Sequence, residues 1–163
     1  MQKVFSKLNE IMLVGITVRT NNAQEQNWMS GKIFPCVQKY FQQQLANLIP
    51  NRKKAGTTLC VYTEYESDYT GDYTYFIGEE VSSIENIPDD LQKLIIPKQT
   101  YTKFTTEPGS MPTVLSDAWQ KIWQMSPQDL GAERRYHSDF EVYDERATDH
   151  SNLVLDIYIG INS

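Results

Sequence analysis

The sequence predicts an α+β fold: two βαββ units related by a pseudo-twofold axis, sharing an antiparallel sheet with two long helices on one face and a ligand groove between the halves. Three observations predict it. The order strand, helix, strand, strand is read twice along the chain. Two stretches, 28–48 and 111–125, carry apolar residues at helical spacing. Finally, segments of the two halves can be laid on one another: 61–66 on 139–144, and 75–78 on 157–160. The same supersecondary unit used twice packs most simply about a twofold axis and leaves a groove where the copies meet.

After a short polar lead-in, residues 10–20 read as the first strand, apolar on both sides (Met12, Val14, Ile16 and Val18 against Ile11 and Leu13) and therefore interior. A polar stretch follows. The helix over 28–48 carries Ile33, Val37, Tyr40, Phe41, Leu45 and Leu48; Gly31 and Pro35 set the start of its regular part near Phe34, and Pro50 ends it. Residues 57–65 and 72–81 are β-branched and aromatic, joined by a polar connection with Gly71, and read as a hairpin. Residues 84–98, framed by Pro88 and Pro97, read as a connector with one helical turn. The second half repeats the plan: a strand over 100–106, a turn at Pro108-Gly109, a helix over 111–125 stopped by Pro127, then strands over 134–145 and 152–162. The expected division is one domain over 1–163, with units at about 10–82 and 99–162 and a connector over 83–98.

Composition narrows the function. With 163 residues, 40% hydrophobic and a net charge of −6, the chain can bury one core but offers no surplus cation for phosphates. Arg52, Lys53 and Lys54 form a short basic cluster with no aromatic interleaved, read as a solvated helix exit. Cys36 and Cys60 lie in apolar surroundings without metal-ligand spacing, which points to reduced thiols and a cytoplasmic location. No apolar run is long enough for a membrane span or signal sequence. There is no GxSxG, GxxxxGK[ST] or HExxH, and His137 and His150 lack a ligand pattern, so no cofactor, metal or catalytic residue is expected.

The chemistry centres on residues 138–145. Alternation puts Phe140 and Val142 on one side of a strand and Asp139, Glu141 and Tyr143 on the other. Leu155, Ile157, Ile159 and Ile161 alternate with Asp156, Tyr158 and Gly160 in the same way, and the apolar packing is expected on the side away from Glu141. An acid among aromatic rings suits an organic cation, since rings supply surface and quadrupole and the acid supplies counter-charge. Alternation alone also describes a surface acid on a half-wet strand. In the register 61–66 on 139–144, Thr63 is the partner of Glu141, so one copy alone carries the acid. Tyr65, Phe76, Tyr143 and Tyr158 fall on the Glu141 side in this reading. Trp28, at the start of the first helix, is either a local staple or a wall of the site. Trp119 and Trp123, four apart, are first a helix-packing pair. Asp156 either adds a second charge near Glu141 or faces water.

These segments resemble the effector-binding domain of the gyrase-inhibitor-like family, found at the C-terminus of AraC-type and MerR-type drug-responsive activators and as stand-alone proteins. The likeness rests on Tyr62-Thr63-Glu64-Tyr65-Glu66-Ser67-Asp68, Gly71 to Gly78, Trp119-Gln120-Lys121-Ile122-Trp123, Asp139-Phe140-Glu141-Val142-Tyr143 and Ile157-Tyr158-Ile159-Gly160-Ile161. It implies a duplicated βαββ fold and a pocket for lipophilic, cationic compounds with Glu141 at its base. The expected ligand-binding residues are thus Glu141, Tyr143, Trp28, Tyr65, Phe76 and Tyr158. No helix-turn-helix pattern precedes the first unit, so the chain is most similar to the single-domain, multidrug-binding versions, including those on integron cassettes. Any role in transcription is expected through a DNA-binding partner in trans. Two other classes stay open: a small hydrolase with Glu141 as acid or base, implied by ring-opening members of the broad family, and a tetrapyrrole-binding module, for which neither histidine is well placed as an axial ligand. The acidity gives the first testable outcome: the isolated chain should show no salt-dependent affinity for duplex DNA in a titration at physiological ionic strength.

Overall fold

The computed structural model describes residues 1–27 and 29–163. Eight strands, β1 (Gln2–Leu8), β2 (Ile11–Asn21), β3 (Thr58–Thr63), β4 (Asp72–Glu80), β5 (Gln92–Ile96), β6 (Gln99–Thr105), β7 (Ser138–Tyr143) and β8 (Asp156–Ile161), form one sheet. The helices are α1 (Asn22–Glu25), α2 (Ile33–Gln42), α3 (Thr113–Trp123) and α4 (Pro127–Leu130), with 3₁₀ turns at Leu45–Leu48 and Glu145–Ala147. The predicted α+β class and the repeated βαββ plan hold. Among the described residues no helix is long and apolar enough to cross a membrane.

The strand order β1-β6-β8-β7-β3-β4-β2-β5 is a palindrome in terms of the repeat: β2, α2, β3 and β4 in one half match β6, α3, β7 and β8 in the other, with β5 and β1 as matching edges. All pairs are antiparallel, and the pseudo-twofold runs between β3 and β7. The two edge strands are the elements the sequence concealed. β1, expected as a lead-in, is almost wholly exposed, and β5 lies inside the Pro-framed connector. An edge strand pairs on one side and buries little, so it needs no apolar period to announce itself. The first helix is also shorter than expected: Gln44 adopts a left-handed conformation (φ 50°), which breaks the α-helical path before the 3₁₀ turn.

Residues 9–10 connect β1 at one edge to β2 near the other, and residues 97–98 connect β5 to β6 in the same manner. A flat sheet would put β1 and β2 about 29 Å apart at the usual strand spacing. The chain from Leu8 to Ile11 spans at most about 11 Å. The sheet therefore curls, and its concave face closes on a core of Leu13, Val61, Phe76, Ile96, Tyr101 and Phe140. The other face carries both long helices. Cys36 and Tyr40 of α2 pack on Val14, Ile16, Cys60, Tyr75 and Ile77, while Ala118, Trp119 and Ile122 of α3 pack on Phe104, Ile157, Ile159 and Ile161.

Gly15 and Gly78 are directly paired between β2 and β4, where a Cβ on Gly15 would lie 2.0 Å from the Ile77 carbonyl oxygen and one on Gly78 2.2 Å from that of Val14. No rotamer change relieves a clash with backbone. Alanine at either position should lower stability by about 1–3 kcal/mol, as overpacking does, read as an earlier urea midpoint with an unchanged slope.

Candidate functional site

The alternation of β7 is as expected: Asp139, Glu141 and Tyr143 share one face, and Phe140 packs on the other. The environment of that face is not. Glu141 stands opposite Ile157, and Ile157, Ile159 and Ile161 pack under α3, so the acid is on the helix-covered side, among the apolar residues rather than away from them. Glu141 is 1% exposed.

Three neutral donors reach its carboxylate. The Tyr62 hydroxyl (2.6 Å) and the Trp119 indole N–H (2.7 Å) both donate to Oε2, and the Tyr143 hydroxyl (2.7 Å) donates to Oε1. Among the described residues no Lys, Arg or His forms an ion pair with it. Burial pushes the Glu141 carboxyl above the ordinary range, and the three hydrogen bonds pull in the opposite direction without cancelling that shift. The tyrosines respond to the same burial and to the Glu141 charge: the hydroxyls of Tyr62 and Tyr143 are pushed up, which keeps them protonated donors.

Tyr62, half-buried, packs against three rings, with centroids 5.5 Å from Tyr73, 5.4 Å from Tyr75 and 5.1 Å from Trp119. From Trp119 the aromatic series runs outward through Trp123 (6.4 Å), which stacks at 6.3 Å on the exposed Tyr69 of the β3–β4 connection. Asp139, the next acid along this face, has a different solution. Its Oδ2 accepts from the Tyr65 hydroxyl (2.5 Å) and from Arg134 (2.8 Å), and its Oδ1 from the Gly160 amide (2.7 Å). One acid is ion-paired; the other is solvated by neutral groups.

Of the expected site residues, Glu141 and Tyr143 meet, and Tyr65 lies one step away on Asp139. Phe76 and Tyr158 do not belong with them. Phe76 opposes Val61, and Tyr158 opposes Phe140 and stacks on it at 4.6 Å, which puts both in the concave core behind the sheet. Trp28 lies outside the described residues. Asp156 is also on the far face, where it accepts from Arg146 (2.7 Å) and Thr105 (2.7 Å). The repeat register needs correction by one residue. Tyr75 opposes Tyr62 in one ladder and Ile157 opposes Glu141 in the other, so laying Tyr75 on Ile157 lays Tyr62, not Thr63, on Glu141. A one-residue slip exchanges the faces of a strand. Tyr62 and Arg134 are not among the residues expected at the site, and Trp119 is expected only as a core or groove-edge residue. The available signal for Trp119 was its N–H, which must find an acceptor when the ring is buried.

The family model for integron-associated effector-binding proteins (Cass2) matches residues 6–161. The chain belongs to that family. It is 25% identical over 147 residues to the putative transcriptional regulator protein YobU of Bacillus subtilis, covering 90% of this chain and 89% of that one. It superposes on an integron cassette protein from the Vibrio cholerae mobile metagenome with a TM-score of 0.77 and 27% identity, over 98% of this chain and 95% of that one. The structure of SAV2435 bound to tetraphenylphosphonium shares the fold at a TM-score of 0.77 and 19% identity, over 100% of this chain and 95% of that one.

The neutral donor set also tolerates a neutral acid, and this has a measurable sign. A carboxyl whose pKa is raised by folding binds more protons in the native than in the unfolded state. Its contribution is present below the unfolded carboxyl range and is lost as pH rises through the raised folded value. Glu141→Gln presents one oxygen to Tyr62 and Trp119 and an amide to Tyr143, without the charge. On going from acid to neutral pH, the melting temperature of wild type should therefore fall relative to that of Glu141→Gln.

Proposed function

We propose that this chain is an effector-binding protein whose ligands are lipophilic organic cations, with Glu141 as the counter-charge and Tyr62, Tyr143 and Trp119 as the aromatic surround. The observation that carries the reading is a buried carboxylate with no cationic partner among the described residues. An unpaired buried charge is costly, and a bound cation removes the cost that the three neutral donors only reduce. The rings around it supply apolar area and negative faces. Tetraphenylphosphonium, the ligand in the SAV2435 structure, belongs to this chemical class. The rings close over Glu141, so a ligand that contacts it displaces one of them, and the series through Trp123 to Tyr69 is the proposed approach. A link to transcription would run through a DNA-binding partner, with this chain acting in the cytoplasm as a single domain of two repeat units.

Melting-temperature shifts with a cation, an anion and a neutral isostere of one shape test the class, because only ligands that prefer the folded chain raise it. The cation alone should give a large shift; equal shifts for the anion would remove the reading. Turnover assays on the same compounds separate a binder from a hydrolase built on the same acid.

Glu141→Gln should cost on the order of 3–5 kcal/mol of cation affinity, the usual loss when one partner of a buried ion pair is removed, and leave the neutral isostere nearly unaffected. Tyr143→Phe keeps the ring and deletes one hydrogen bond to the acid, so its effect should be much smaller. Cation binding should also weaken as pH falls through the raised Glu141 value, since protonation removes the counter-charge. Calorimetric titration of both variants at two pH values checks all three outcomes.

A further inference from the structure

Asp139 and Glu141 lie two residues apart on one face of β7, so the two acids are separated by about 7 Å along the strand. Both residues are buried (0% and 1% exposed), and Trp119 links them: it donates its N–H to Glu141 and presents its ring, at 5.8 Å, to Arg134, the partner of Asp139. The Arg134 guanidinium also lies over the Tyr136 ring at 4.4 Å, with its side chain 7% exposed and its Nε without a hydrogen-bond partner among the described residues. An acid below and ring faces above are the environment assigned above to a ligand cation. Arg134 has that environment on Asp139 while leaving one of its own buried donors unsatisfied, so this arginine is held by charge and rings more than by a complete set of hydrogen bonds.

We propose that Arg134 is a built-in cation that occupies one half of a two-acid site and thereby limits the ligand to a single positive charge. The inference rests on the reading of Glu141 as ligand counter-charge and adds its specificity determinant. Arginine stays charged at any pH a protein tolerates, so with Arg134 in place the two acids present one net negative charge. Without it they would present two, at a spacing that suits a rigid aromatic dication.

The test compares N-methyl-phenylpyridinium, with one charge, and N,N′-dimethyl-bipyridinium, nearly the same shape with two charges. Affinities of both are measured by calorimetric titration for wild type, Arg134→Gln and the doubly neutral Arg134→Gln/Asp139→Asn. Glutamine keeps a donor for Asp139 and deletes the charge. The preference for the dication over the monocation should rise on the order of tenfold or more in Arg134→Gln, from the Coulomb interaction with an uncompensated second charge, and return to the wild-type ratio in the double variant. If the single variant does not fold, Asp139→Asn carries the test in the opposite sense. It leaves Arg134 uncompensated and should lower monocation affinity on the order of tenfold, with neutral methylbiphenyl unchanged. A ratio that stays the same in a chain that binds the monocation overturns the role of Arg134 alone. A wild-type chain that binds neither cation removes the reading of the site and this inference together.

Discussion

The charge of Glu141 is the constraint around which the helix-covered face is arranged. A carboxylate taken out of water needs donors, and every donor here is a side chain from a different element: Tyr62 from β3, Trp119 from α3 and Tyr143 from the end of β7. None of the three is charged. Neutral donors lower the cost of burying the charge without abolishing it, which is why the carboxyl still prefers its proton more than an exposed one does. Asp139 shows the other solution a few ångströms away: a guanidinium at 2.8 Å. The contrast between the two acids is what gives the face its chemistry.

Duplication explains where this happens. Each long helix covers its own half of the sheet, α2 over β2, β3 and β4, and α3 over β6 and β8. The seam between the halves is the β3–β7 pair, which neither helix covers alone. Tyr62 belongs to both helix-covered clusters, and Tyr143 packs against the α2 cluster and the small one around Leu153 and Leu155. Side chains at a seam have neighbours from both repeats, and the pseudo-twofold makes Tyr62 and Glu141 equivalent positions. The site is thus a broken symmetry: where one repeat has a phenol, the other has the carboxylate that the phenol donates to. Divergence at that single pair turns a symmetric junction into a polar one.

The class of fold was legible because period and order are robust to small errors. Alternation in β2, β3, β4 and β8, helical spacing in α2 and α3, and their repetition survive shifts of a residue or two at the boundaries. The site was less legible because it depends on parity, where a shift of one is a complete reversal. Alternation within β7 separated Glu141 from Phe140 correctly, but no property of a single strand tells which of its faces joins which face of the next. Phe76 and Tyr158 fall on the Glu141 side when the strands are aligned by the repeat alone, whereas the ladders put them behind the sheet. The assumption that polar means uncovered failed for the same reason: in a sheet with one face under helices and the other closed by its own curl, both faces are interior, and an acid on either is buried.

Arg134 was illegible for a different reason. It precedes β7 in an irregular segment that pairs with the sheet only through the Arg134–Ile161 bridge, so no periodicity predicts its direction. Its placement follows from tertiary demands: Asp139 already uses Oδ1 on the Gly160 amide and part of Oδ2 on Tyr65, and its remaining charge attracts the nearest cation able to reach it. Glu141, two residues on, spends its oxygens on Trp119, on Tyr62 from the opposite side of the seam and on Tyr143 of its own strand, with Trp119 held by its packing in α3. The indole therefore stands between the two acids, N–H toward one and ring toward the cation of the other. Anything that moves Trp119 to reach Glu141 also alters the surface on which Arg134 lies, so the ion pair at Asp139 and the free charge at Glu141 are coupled through one side chain.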